Sequence, residues 1–206
     1  MGIRPIPFCP RSQGFYAQRF STTVFTQMEV CDAIQCISSH SAFFKSVLSG
    51  QTTCATVIGG SCPGNVADVE GCATFIRGAL TQAGARTILT TRCGAGFPSA
   101  LNAIFRQYLA NLLNICISTT VQPFGCVGGV LETYRVTLTA AQRAALGFAP
   151  GECVTVGDIL ALAEAALTNC GAVSTDLGVL GNVLRDMAQD APPAPPPNTI
   201  IVPTFC

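Results

Sequence analysis

The sequence predicts a mixed α+β protein: a single disulfide-containing domain with several Thr-rich strands and five or six helices, flanked by extended arms. Three observations predict it. Alternating, Thr- and Val-rich stretches interleave with segments of helical period. The chain carries 12 cysteines in 206 residues, spread widely and evenly. Both ends are proline-rich. The expected boundaries are an N-terminal arm over 1–19, a globular body over 20–190 and a C-terminal arm over 191–206.

Residues 1–13 read as an irregular arm, with Pro5, Pro7 and Pro10 around Cys9. "RFSTTVFTQM" (19–28) alternates and predicts a strand. "EVCDAIQCISSHSAFFKSVLSG" predicts one or two helices ending at Gly50. "QTTCATVI" predicts a strand, and "GGSCPGN" a loop. Asn65 caps a helix with Val69, Cys72, Ile76 and Leu80 on one face, stopping at Gly84. "ARTILTTRC" predicts another strand. The strongest helical pattern covers about 99–116, where Leu101, Ile104, Phe105, Tyr108, Leu109, Leu112 and Leu113 keep the 3.6 period. "ISTTVQPF" and "GGVLETYRVTL" predict strands across a Gly-rich turn.

The last third predicts helices. Thr139 with Gln142 makes a capping-box pattern for a short helix closed by Gly147. Thr155 with Asp158 opens a helix that turns Ile159, Leu162, Ala166 and Cys170 inward. Ser174 or Thr175 opens another, with Leu177, Leu180, Leu184 and Met187 inward. These two suit a helical hairpin. "PPAPPP" then imposes polyproline II.

Charged residues are 11% of the chain, against roughly 25% in an ordinary soluble domain. Net charge is formally zero, with one lysine, Lys45. Near-zero charge favours association, and interface cores are poor in Lys, Glu and Asp. Composition therefore points to a subunit that buries its surface against copies of itself; a composition-biased genome is the plain alternative. No basic cluster suits nucleic acid. "YLANLLNICI" is interrupted by Asn111 and Asn114, so no membrane span is expected. "MGIRPIPFCPRSQ" has no apolar h-region. A removed leader, or release from a lysed mother cell, is then the expected export route. The sequence has no N-x-[ST] acceptor.

The cysteines contain no C-x-x-C, which counts against zinc ribbons and thioredoxin-type motifs. His40 is the only histidine. A zinc site would need Cys₄ or Cys₃His from scattered positions, so no metal and no cofactor is expected. Disulfides are the favoured reading, placing the protein outside the cell or at its surface, a spore surface included. Buried thiols are the alternative for Cys72, Cys116 and Cys170.

Motifs for chemistry are weak. "TVIGGSCPGNVADVE" lacks the lysine of a phosphate loop. "GAGFPSALN", with Gly94, Gly96 and Ser99, lacks the acidic residue that holds a ribose. His40 is the single candidate base for a cysteine or serine nucleophile; a capping or surface role suits it better. Glu29/Asp32 and Asp68/Glu70 fit first helical turns, where they complement the helix dipole. The protein is therefore not expected to be an enzyme. A cleft holding His40 or clustered acids would be the sign that it is one.

The C-terminal arm carries the functional expectation. "PPAPPP" holds the last residues roughly 19 Å off the body, at about 3.1 Å per residue. Ile200, Ile201 and Val202 form a candidate donor strand for a neighbouring sheet. Cys9 and Cys206 are candidates for inter-subunit disulfides. Such head-to-tail contacts build rings or filaments. The expected function is a structural subunit of an extracellular or cell-surface polymer whose partners are its own copies. The alternatives are arms that clasp their own body, a secreted binding module enclosing an apolar ligand, and, last, a hydrolase.

Overall fold

The computed structural model describes residues 11–19, 27–44, 99–120, 131–169, 171–188 and 200–206. In chain order the elements are α1 (Gln13–Arg19), α2 (Gln27–His40), α3 (Ser99–Thr120), a 3₁₀ turn (Leu131–Thr133), β1 (Tyr134–Val136), α4 (Ala140–Leu146), α5 (Val156–Thr168), α6 (Leu177–Met187) and β2 (Ile201–Phe205). Among the described residues the class is mixed helix and strand, and helix dominates. The sheet among the described residues has two strands, β1 and β2.

Helix α3 is the central column. Leu101, Ile104, Leu109 and Leu113 are completely or almost completely buried, as their period requires. Helices α1, α2, α5 and α6 all pack on it. Burial runs nearly all round α3, which is the mark of a core helix rather than a surface one. Its two mid-helix asparagines are buried but satisfied. Asn111 Nδ2 donates to the Leu184 carbonyl of α6 at 2.9 Å. Asn114 Oδ1 accepts from Tyr16 Oη–H at 2.7 Å and from Arg11 N–H at 2.8 Å. Each asparagine is thus an attachment point for a neighbouring element, and buried polar groups persist only with such partners.

The three helices expected in the last third form, while Cys170, expected to face inward, lies outside the described residues. Both capping boxes form: Thr139 with Gln142 and Thr155 with Asp158. Gly147 closes α4 in the left-handed region at φ 86°, where a Cβ is disfavoured. Ile159, Ala166, Leu180, Leu184 and Met187 are buried as expected. Leu162 and Leu177 are only partly buried. The cap of α6 is Asp176, whose Oδ1 accepts from Gly178 and Val179 N–H, so the helix starts just after Ser174 and Thr175.

The strand expectations need correction. The expected strand over 19–28 meets α1 at Arg19 and α2 at Gln27–Met28; the residues between lie outside the described set. "ISTTVQPF" is helical through Thr120. Burial of Ile115, Cys116 and Ile117 extends the core stripe of α3, and this packing overrides β-branched propensity. "GGVLETYRVTL" yields one strand of 3 residues after a 3₁₀ turn. The expected elements over 45–98, including the Asn65-capped helix and two strands, lie outside the described residues.

The N-terminal arm is in part a docked helix: α1 buries Tyr16 against α3. At the other end, β2 pairs antiparallel with β1 through Val136↔Ile201, Arg135↔Val202 and Tyr134↔Phe205, with an irregularity between Tyr134 and Arg135. Thr137 N–H donates to the Ile200 carbonyl at 2.7 Å, and Val136 N–H to the Val154 carbonyl at 2.8 Å. Two disulfides are described, Cys36–Cys116 and Cys153–Cys206.

Candidate functional site

The C-terminal end of α2 carries the densest cluster of reactive groups among the described residues. Cys36 and His40 are four residues apart, so they share one helix face. Cys116 of α3 faces them and bonds Cys36, with Cα atoms 5.6 Å apart, a separation suited to an unforced disulfide. His40 Nδ1 lies 2.9 Å from the Cys36 carbonyl and 3.5 Å from Cys36 Sγ. The same carbonyl also accepts from Ser39 Oγ–H at 2.7 Å. On the other side of the ring, Nε2 lies 2.9 Å from Glu132 Oε1. Glu132 sits on the 3₁₀ turn that leads into β1.

A second acid, Glu164 of α5, ties three segments together. Its Oε2 accepts from Ser41 Oγ–H at 2.8 Å and from Tyr108 Oη–H. Its Oε1 accepts from Phe43 N–H at 2.8 Å. Ser41 Oγ in turn accepts from Phe44 N–H at 3.1 Å. Phe44 then stacks between Phe105 and Tyr108, with centroids 5.6 and 5.7 Å away. Burial pushes the Tyr108 phenol well above its usual range, and the bond to Glu164 adds to the rise. The phenol therefore stays a neutral donor to a carboxylate. Three donors occupy most of the acceptor capacity of Glu164, and a structural role accounts for it.

Between these groups lies a half-open cleft of about 540 Å³, bordered by His40, Glu132, Tyr108 and Glu164 and walled by Leu112 and Leu160 among others. A cleft holding His40 and acidic groups is the feature expected of an enzyme. The chemistry in it is incomplete for nucleophilic catalysis. Cys36 and His40 have dyad proximity, but the sulfur is bonded to Cys116, so no thiolate is offered.

The residues singled out from sequence fall elsewhere. Ile201 is buried on β1 of its own chain, with Ile200 and Val202 half-buried beside it. Cys206 is bonded to Cys153 of the same chain; the strand pairing of β2 brings it there. In this single chain the arm is a clasp. Cys9, Gly94, Gly96, Asp68 and Glu70 lie outside the described residues. Ser99 is the first residue of α3, and Glu29 does occupy the first turn of α2. Sequence reasoning missed Glu132, Tyr108 and Glu164 as neighbours of His40. It also passed over the C-x₃-H spacing of Cys36 and His40, which was visible on a predicted helix.

Comparison with protein-family models, with curated proteins and with solved structures found no significant match.

Proposed function

We propose that this chain is a disulfide-fastened structural subunit of an extracellular or cell-surface assembly built from its own copies. The observation that carries the proposal is the C-terminal clasp. A strand at the end of a proline-rich arm pairs with a strand of 3 residues and is then locked by Cys153–Cys206. The same contacts made between copies would place β2 of one subunit on β1 of the next and exchange the disulfide with it. Arm exchange of this kind needs no new surface, because the acceptor already exists in each copy. The low charge content supports the reading, and disulfides suit an oxidising location.

Electrophoresis with and without reductant, joined to negative-stain microscopy of native material, tests it. Ladders that collapse only under reductant with denaturant, and ordered particles in the images, are the expected result. A single band of monomer mass, with no assembly in the images, overturns it. The cleft beside His40 favours a second reading, a secreted binding module for a small, largely apolar ligand, because its walls are mostly apolar. That reading expects the single band, together with saturable uptake of an apolar fluorescent probe.

A further inference from the structure

We propose that, once the Cys36–Cys116 bond is reduced, Cys36, Cys116 and His40 bind a zinc ion, with Glu132 orienting the imidazole. This site is independent of the structural role in an assembly and goes beyond it. The two sulfurs and a ring nitrogen of His40 all lie within 4.8 Å of one another. Zinc–sulfur and zinc–nitrogen bonds of about 2.3 and 2.0 Å put tetrahedral ligand atoms roughly 3.5–3.8 Å apart. Cys36 Sγ and His40 Nδ1 are already at 3.5 Å. The two sulfurs must separate, which breaking their bond permits, and the Cys116 sulfur needs to settle within about 3.5 Å of the ring nitrogen from a separation of at most 4.8 Å.

The surroundings fit a metal better than a bare pair of thiols. Two ligands come from one face of α2 and the third from α3, so the site is held by helices rather than loops. Glu132 faces Nε2 at 2.9 Å, the arrangement in which a carboxylate takes the far N–H of a metal-bound histidine. Nδ1 is then the ligating nitrogen, exchanging its contact with the Cys36 carbonyl for the metal. Two thiolates neutralise the charge of the ion, which suits a site where Cys116 is 0% exposed. The fourth position is left to water, as in open zinc sites.

The chemistry balances with a dithiol as reductant. The dithiol gives two electrons and two protons to the Cys36–Cys116 bond and closes to its own cyclic disulfide. Two thiols result. Zinc then displaces both thiol protons to solvent and forms two Zn–S bonds. Reoxidation reverses the sequence and releases the ion. A chain made in a reducing compartment would thus have its α2–α3 contact held by zinc before the disulfide replaces it.

The test uses the full chain, reduced with dithiothreitol, desalted without oxygen and titrated with Co²⁺ as the spectroscopic probe. The chain has 12 cysteines, so the readout is a difference between variants. Reduced wild type is expected to bind one more tight equivalent than either His40→Ala or the double variant Cys36→Ser/Cys116→Ser. That equivalent should show tetrahedral thiolate–cobalt absorption, absent at this site in oxidised protein. Glu132→Gln should keep the spectrum and weaken binding by roughly 10–100-fold. Equal stoichiometry in wild type, His40→Ala and the double variant overturns the proposal. So does a reduced chain that loses its helical circular dichroism and does not regain it with Zn²⁺.

Discussion

Removing one sulfur of the C-terminal clasp is the most informative perturbation. Cys153 and Cys206 are 53 residues apart. In the chain-entropy account, closing a loop of that length lowers the entropy of the unfolded chain by about 14 cal/mol/K, or about 4 kcal/mol at 25 °C. Cys206→Ser should therefore lower stability by about 4 kcal/mol, seen as a fall in Tm of roughly 8–16 °C for a chain of this size. Cys153→Ser should cost the same, and the double variant no more than either, since one bond is shared. The assay is thermal or guanidinium unfolding at two protein concentrations. If the clasp closes within one chain, the loss is independent of concentration. If it closes between copies, the wild-type midpoint rises with concentration and the variants lose that dependence. A midpoint that does not move in Cys206→Ser refutes the assignment of the bond in either form.

Other outcomes are equally specific. Asn114→Ala removes the acceptor shared by Tyr16 Oη–H and Arg11 N–H; a loss of about 1–3 kcal/mol, with faster proteolysis near α1 than elsewhere, is expected. Tyr108 has a raised pKa, so its neutral form is favoured in the folded state. Stability is then fully present below about pH 10, the ordinary phenol value, and declines above it as the unfolded chain ionises first. The phenolate absorbance of Tyr108 should accordingly appear only with unfolding, and Tyr108→Phe should remove that part of the signal. Gly147→Ala forces a Cβ into the left-handed region at φ 86° and should cost roughly 1–2 kcal/mol, read by denaturant midpoint.

How much was legible in the sequence varied with the range of the forces involved. Caps are local. Thr139/Gln142 and Thr155/Asp158 were both readable, and both boxes form, because each closes its hydrogen bonds within four residues. The core stripe of α3 was readable for the same reason. Thr-rich segments misled where packing decided the outcome. "ISTT" reads as strand by propensity, yet Ile117 is buried on α3 and the helix runs through Thr120. The site was only half visible. Cys36 and His40 share a face by spacing alone, but Cys116 joins them across 80 residues. Glu132 and Glu164 arrive from separate elements, and no local rule carries that information.

Helix α3 explains why these features meet in one place. A purely apolar core helix could be approached by its neighbours in several registers, since hydrophobic burial is non-directional. Here the apolar stripe is punctuated by groups that accept only one partner geometry. Asn111 holds α6 through the Leu184 carbonyl, and Asn114 holds Arg11 together with Tyr16 of α1. Tyr108 holds α5 through Glu164, and Cys116 holds α2 by a covalent bond. Each is directional, and each fixes a different neighbour. The asparagines that make "YLANLLNICI" too polar for a membrane span are therefore what makes it a unique scaffold. The cleft beside His40 lies where α2 and α5 are both fastened to this column. Reducing Cys36–Cys116 removes the one covalent pin among the four and leaves the three hydrogen-bonded ones in place.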